Sequence, residues 1–289
     1  MNRLEDRPRN LVVTFSCPDR PGILAAVTAV LYALGCDIRD AAQFGDAESQ
    51  RFFVRMHIAA PESVDQSRLS GALSDVAADH QLEWDVADWS KRLRTLIAVS
   101  KAGHCLNDLL HRWHSGLLHT DIVGVVSNHD DLRSLTEWYG LPYYYHPVTP
   151  ETKEEHERAL VDLVDKQSVD LLVLARYMQI LSAPLCDQLA GRCINIHHSF
   201  LPGFKGANPY RRAHERGVKL VGATAHYVTP DLDEGPIIEQ DVVRVTHATD
   251  TQEMTNVGRE VEARVLARAV RWHVEHRVIV NGARTIVFG

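Results

Sequence analysis

The sequence predicts an α/β protein in two parts: a ferredoxin-like βαββαβ sandwich, then a doubly wound, mostly parallel sheet. Three observations carry this. The first ninety or so residues alternate strand and helix patterns in the order β-α-β-β-α-β, the signature of a split-βαβ sandwich. Beyond Arg94, short apolar runs alternate with helical patterns, which implies parallel strands covered on both faces. Between them lies a basic connector, "SKRLR" (Ser90 to Arg94). The chain has 289 residues, enough for one large domain or two ordinary ones. We expect the first domain over residues 8–88 and the second over 93–289.

In the first part, "LVVTFS" reads as a strand and "PDRPG" as a turn marked by Pro18, Pro21 and Gly22. Apolar residues at 23, 24, 27, 30, 31 and 34 make a helical stripe. Gly35 ends it as a C-cap. "CDIRDAAQF" and "RFFVRMHIAA" follow as strands joined by "GDAES"; a second helix runs from about Ser67 to His80, and "LEWDVAD" closes the pattern. This part resembles the ACT domain, a small amino-acid-sensing module, and "DRPGIL" is the most typical element of the resemblance. The resemblance implies a regulatory amino-acid site at Asp19, Arg20, Gly22 and Ile23, where turn amides and a helix N-terminus would receive a carboxylate. The plainer reading is that Gly22 only permits a tight strand-to-helix turn.

In the second part, "TLIAVS", "DIVGVVSN", "LPYYYHP", "VDLLVLA" and "CINIHH" are the apolar runs. The helical patterns between them cover Cys105 to Trp113, Asp131 to Tyr139, Glu151 to Lys166 and Ala183 to Leu189. In such sheets ligands sit beyond the carboxyl ends of the strands. "CINIHH" ends there and carries polar residues. Side chains two apart on a strand share a face, so Asn195 and His197 point one way and His198 the other. A further strand over Thr224 to Val228 leads into the tight loop "LDEGP", which contains Asp233. An amide, an imidazole and a carboxylate converging there suit acyl chemistry. Asn195 can donate to an oxyanion, His197 can carry a proton, and Asp233, its pKa raised by burial, can take one from water.

Composition excludes several classes. The chain is 45% hydrophobic and 24% charged, as ordinary globular proteins are. A net charge of −7 argues against nucleic acid as a partner. No apolar run approaches the ~18 residues of a membrane span, and "MNRLEDRPRN" has no apolar core for a secretory leader. Five scattered cysteines without a C-x-x-C read as reduced thiols, so a cytoplasmic setting is expected. His197, His198, His226 and Asp233 are conceivable metal ligands, but adjacent strand histidines point apart and no His-x-His or His-x-x-x-His spacing occurs among them, so no metal is expected.

The stretch "INIHHSFLPGFKGANPYRRAHERGVKLVGATAHYVTPDLDEGPIIEQD" resembles the folate-dependent formyltransferase fold, a Rossmann-like fold that includes glycinamide ribonucleotide formyltransferase. Asn195, His197 and Asp233 fall on that group's catalytic triad, and "ARYMQILS" (Ala175 to Ser182) on its folate-pocket segment. The ACT-like part in front, "SKAGHCLNDLL" and the final "NGARTIVF" resemble the formyltetrahydrofolate deformylase family. The resemblance implies hydrolysis of 10-formyltetrahydrofolate to tetrahydrofolate and formate, a role in one-carbon balance and purine biosynthesis, and no cofactor beyond the folate substrate. It also implies substrate contacts at Met178, Gln179, Ile180, Leu181, Lys205, Gly206 and His226, with Asn208 near the same loop, and a homo-oligomer, dimer or tetramer. One departure from the transferases favours water as acceptor: "VSKAGHCLNDLL" has a single glycine, Gly103, where they carry a Gly/Ser-rich phosphate loop. Gln179 and His198 stand where transferases commonly carry Arg and Pro. Two alternatives remain open at this point: formyl transfer to a non-phosphorylated amine, and a pure amino-acid-binding regulator whose second domain is inert.

Overall fold

The computed structural model describes residues 8–201 and 209–289. They fall into two compact units. The first runs to Arg92 and also takes in Glu275–Asn281 and Ile286–Gly289; the second comprises Leu93–Val274 with Gly282–Thr285. The end of the chain thus departs from the linear division at 93–289: most of it belongs with the first unit.

The first unit is built from β1 (Arg9–Pro18), α1 (Ile23–Ala33), β2 (Asp37–Asp46), β3 (Arg51–Ala60), α2 (Gln66–His80) and β4 (Glu83–Asp88). The order and types are those the sequence predicts. Its four-stranded sheet runs β2-β3-β1-β4, and every neighbouring pair is antiparallel. Leu11, Val13, Phe15 and Cys17 alternate onto one face of β1, as the strand period requires. Against them pack Ile23, Val27 and Leu31, one stripe of α1 at a spacing of four. The helix stops where expected. Gly35, at φ 71°, occupies the left-handed position, and the amides of Gly35 and Cys36 close onto the carbonyls of Tyr32 and Leu31 in a Schellman motif. Asp65 caps α2 by accepting the Arg68 amide at 2.8 Å.

The second unit holds β5 (Leu93–Val99), α3 (His104–His114), β6 (Thr120–Ser127), α4 (Arg133–Trp138), β7 (Tyr143–Tyr145), α5 (Lys153–Lys166), β8 (Leu171–Leu174), α6 (Ala183–Gln188) and β9 (Cys193–His197). α7 (Pro209–Glu215), β10 (Leu220–Tyr227), β11 (Ile237–Arg244) and α8 (Thr251–Val274) follow. The short strands β12 (Val278–Asn281) and β13 (Arg284–Val287) end the chain as a two-stranded sheet. The seven-stranded sheet runs β11-β10-β9-β8-β5-β6-β7. Pairs from β9 to β7 are parallel, while β10 pairs antiparallel with both β9 and β11. From β5 the chain winds outward to β6 and β7, then returns to the other side of β5 for β8 and β9. The order reverses between β5 and β8, which opens a crevice at the strands' carboxyl ends. β8 reads "LLVL" and is buried throughout, as a central parallel strand must be. All five cysteines are free.

One buried charge ties the chain's end into the first unit. Arg55 on β3 is 2% exposed. Its guanidinium donates to the carbonyls of Glu275 and His276, each at 3.1 Å, and pairs with Asp40 at 3.1 Å. Arginine alone among side chains offers five donors in a planar fork, enough for three acceptors at once. We predict that Arg55→Met leaves these buried carbonyls unpaired and lowers stability by about 2–4 kcal/mol. Denaturant unfolding measures that loss. Hydrogen exchange should speed up first at 275–281; an unchanged exchange rate there would remove Arg55 from this role.

Candidate active site

β9 and β10 bring the candidate residues together. Their antiparallel register pairs Asn195 with His226 and His197 with Thr224. Directly opposed residues place their side chains on one face within contact. After β10 the chain turns back sharply through "LDEGP" and returns as β11. A side chain at Gly235 would lie 1.8 Å from the Tyr227 carbonyl oxygen, so only glycine lets the turn close this tightly. Asp233 within it adopts φ 59°, a left-handed conformation that Asp tolerates better than most residues. The turn thereby aims its carboxylate back at β9.

The geometry assembles the three predicted residues. Asp233 Oδ2 lies 3.2 Å from His197 Nδ1, and Oδ1 lies 3.7 Å from His226 Nε2. His226 is 2% exposed; its Nδ1 donates to the Tyr227 carbonyl at 2.8 Å. In the neutral ring that leaves Nε2 as an acceptor, and the Asn195 amide stands 3.3 Å away to donate to it. His226 therefore orients Asn195, and also donates toward Asp233 once it is protonated. Burial pushes the Asp233 carboxyl upward, but the hydrogen bond from His197, that from His226 in its protonated form, and then the charges of the two rings outweigh burial and hold it below the ordinary carboxylate range. This corrects the expectation of a raised pKa, which considered burial without the two imidazoles. Asp233 stays ionised and accepts the Nδ1 proton of His197. His197 is 6% exposed, and its other nitrogen, Nε2, is buried without a hydrogen-bond partner.

A second finding departs from strand alternation. β9 ends at His197, and His198 no longer follows its pleat. The two rings stack, centroids 4.8 Å apart and planes 21° from parallel, rather than pointing to opposite faces. Behind them lies a buried polar cluster not anticipated from sequence. Arg176 Nη1 is 2.6 Å from His198 Nδ1, and Arg176 Nε is 3.3 Å from Glu262 on α8. Glu262, 1% exposed, also takes His104 Nε2 at 2.8 Å and the Tyr210 hydroxyl. Burial pushes the Glu262 carboxyl up, but the hydrogen bond from His104 and the Arg176 charge bring it net below the usual range. Glu262 had one sequence signal: it interrupts the apolar stripe Met254, Val261, Val265 of a long helix.

A cavity of about 770 Å³ opens at these residues, lined by Asn195, His197, His226 and Asp233 and by Met178, Gln179, Ile180 and Leu181. Met178 and Ile180 are each 60% exposed, while Leu181 is buried. Ser100, at the end of β5, accepts the Met178 amide at 2.9 Å and donates to Asn128 at 2.7 Å, which holds the segment against the sheet. Lys205, Gly206 and Asn208 lie outside the described residues. His104, in the segment where the transferases keep small residues, turns inward to Glu262, and Gly103, at φ −96°, is not in left-handed backbone. In the first unit, Gly22 does occupy left-handed backbone, at φ 95°, and α1 has no side-chain cap. Asp19 and Arg20 are exposed; Arg20 bonds to His80 at 3.2 Å and to the Asp79 carbonyl at the end of α2. Ile23 is 2% exposed and belongs to the core, so only its backbone faces the turn.

Among the described residues, one group sits close enough to share a metal ion: His104, Cys105 and Glu262, with ligand atoms within 4.8 Å of one another. Its chemistry does not suit a cation. Arg176 already supplies positive charge to Glu262, and burial drives the Cys105 thiol well up, so it keeps its proton. No helix of the described residues is long and apolar enough to cross a membrane.

Comparison with known proteins agrees with both units. A formyl transferase family model matches residues 93–270, and an ACT domain model matches 11–68. The chain is 48% identical to the formyltetrahydrofolate deformylase of Corynebacterium sp. (strain P-1), over 96% of this chain and 97% of that protein. It is 47% identical to the formyltetrahydrofolate deformylase of Bacillus subtilis, over 98% and 94%. The crystal structure of a formyltetrahydrofolate deformylase from Pseudomonas syringae pv. tomato superposes with a TM-score of 0.94 at 46% identity, covering 98% of this chain and 95% of that one. On sequence, on domain content and on fold, the chain belongs to the formyltetrahydrofolate deformylase family.

Proposed function

We propose that the chain hydrolyses the formyl amide of 10-formyltetrahydrofolate to give tetrahydrofolate and formate. The observation that carries this is His197: its Nε2 is buried without a hydrogen-bond partner, its ring lines a cavity together with Asn195, and its Nδ1 is held by an ionised Asp233. The folate lies along Met178, Gln179, Ile180 and Leu181, with its formyl carbon next to Asn195 and His197. Asp233 fixes the Nδ1–H tautomer, so Nε2 is free to accept a proton from water. The water oxygen attacks the formyl carbon. The resulting imidazolium and the Asn195 amide both face the tetrahedral oxyanion and stabilise it. The Nε2 proton passes to N10 as the carbon–nitrogen bond breaks, and formic acid leaves as formate. His226 holds Asn195 in place throughout. No metal or organic cofactor takes part.

We assign a regulatory role to the first unit. An amino acid bound at the exposed turn of Asp19, Arg20, Gly22 and Ile23 adjusts turnover, within a homo-oligomer, dimer or tetramer, that works in the cytoplasm. The left-handed Gly22 and the uncapped start of α1 support this reading.

Four expectations follow from these assignments. Hydrolysis of formyl-folate with no amine present should proceed and release formate; release only on adding an amine would favour a transferase. Asp233→Asn keeps the side chain's size and tolerates the positive φ, but its amide can donate to His197 and reverse the tautomer. Turnover should fall about 100-fold or more with folate binding retained, and a smaller loss in steady-state kcat would remove Asp233 from this role.

The depressed Asp233 pKa also sets a pH dependence of stability. Its contribution is complete above the unfolded-state value of about 3.9 and is lost as pH falls through the lower folded value. The Tm difference between wild type and Asp233→Asn should therefore be larger at about pH 5 than at about pH 3, shrinking below about pH 4. A difference that grew on acidification would mean the folded pKa is raised. For the first unit, some amino acid should shift substrate affinity by about 5-fold or more, and Gly22→Val, strained at this φ, should abolish the response. A response that survives in the folded variant places the effector elsewhere.

A further inference from the structure

Hydrogen bonding to Asp233 fixes one atom of the His197 ring but leaves the ring free to swing about the Nδ1···Oδ2 axis. A face contact removes that freedom, and His198 supplies it, stacked at 4.8 Å. What holds His198 is Arg176. Its Nη1 lies 2.6 Å from His198 Nδ1, and arginine can only donate. Nδ1 is therefore the acceptor, and the ring carries its proton on Nε2. Arg176 in turn is anchored by Glu262, which is 1% exposed and has His104 and Tyr210 as further donors. A buried carboxylate with two hydrogen-bond donors and an ion pair, on the 24-residue helix α8, is a fixed point. Gly258, one turn earlier on that helix, lets the Tyr210 ring lie against it; a side chain there would sit 2.2 Å from the ring. Arg176 itself adopts φ 64°. Left-handed backbone disfavours a side chain, and such strain persists where the surroundings impose it, chiefly at functional sites.

We propose that Arg176, anchored by Glu262, is a positioning residue for the hydrolysis: it holds His198 neutral and stacked, so that His197 presents Nε2 to the attacking water. This rests on the deformylase reading above. Arg176 lines the same cavity, but its part in the chemistry of this scheme runs through His198. The network explains why an arginine occupies a strained position beside a catalytic cavity. It also explains why a carboxylate is buried in the apolar face of α8.

A double-mutant cycle tests the link. Arg176→Gly removes the guanidinium and relieves the positive φ, and His198→Ala removes the stack. Each should lower kcat about 10- to 100-fold with KM for formyl-folate changed less than about threefold, since misplacing a catalytic group impairs chemistry rather than binding. Because both act through one contact, the double variant should be no slower than the slower single one. Losses that multiply, or an Arg176→Gly enzyme with wild-type kcat, overturn the proposal. Should Arg176→Gly fail to fold, Arg176→Lys carries the same expectation, because an ammonium cannot bridge Glu262 and His198 as the fork does. Nitrogen-15 spectra of labelled histidine give a readout that needs no turnover. His198 should show protonated Nε2 and bare Nδ1 in the wild type and a tautomer mixture in Arg176→Gly; a wild-type His198 protonated at Nδ1 overturns the proposal. A wild type that has this tautomer but does not hydrolyse formyl-folate would instead overturn the function reading.

Discussion

The antiparallel register between β9 and β10 is the constraint on which the site depends. It sets His226 opposite Asn195, so the two side chains meet on one face. A slip of one residue would turn every side chain of β10 to the other face. His226 would then leave Asn195, and the turn after β10 would deliver Asp233 elsewhere. The register is secured on both sides. Thr224, fully buried, donates its hydroxyl to the Ser199 carbonyl at 2.9 Å and takes the Leu201 amide at 3.0 Å. Gln240 on β11 bonds to the same hydroxyl and to the Leu201 carbonyl. The tight approach of Gly235 to Tyr227 then leaves the Asp233 turn little room to move.

Burying ionisable groups this densely is costly unless each has a partner. The second unit meets the requirement with two adjoining clusters. In one, Asp233 is shared by His197 and His226; in the other, Glu262 is shared by Arg176, His104 and Tyr210. The bond from Arg176 to His198 and the stack of His198 on His197 join them. In the first cluster, His197 Nε2 is buried without a hydrogen bond, on a residue that lines the cavity. An unsatisfied buried donor or acceptor is expensive in the empty protein, and its place in the wall is where a reacting group would compensate it.

The two units use the same structural rules for different ends. In the first, alternating apolar residues of β1 and β3 bury one sheet face under two amphipathic helices. In the second, β8 at the sheet centre is wholly apolar, β5 beside it is apolar from Leu96 to Val99, and polar residues collect at the strands' carboxyl ends. The last residues of the chain return to the first unit, where the Arg55 fork takes their carbonyls. That return needs a charge buried in a strand that otherwise reads as plain core, "RFFVRMHIAA".

Much of this was legible from the residues alone because it rests on local periodicity. Strand and helix patterns in the first unit, the alternating runs of the second, the Schellman stop at Gly35 and the polar end of β9 all follow from spacing and turn chemistry within a few residues. The spacing of Asn195 and His197 on one strand, and of Asp233 in a tight turn, marked the site in the same way. What depended on distant residues was hidden. Burial alone predicts a raised Asp233 pKa; the two imidazoles that lower it come from β9 and β10. Alternation puts His198 on the opposite face, but it holds only while a strand lasts, and β9 ends one residue earlier. Arg176 and Glu262 stand 86 residues apart in sequence, and no periodicity links them. Local sequence determined which elements form and which polar groups they expose at their ends. Only the tertiary structure decided which of those groups neutralise one another, because in a buried site that depends on distances of a few ångströms between residues far apart along the chain.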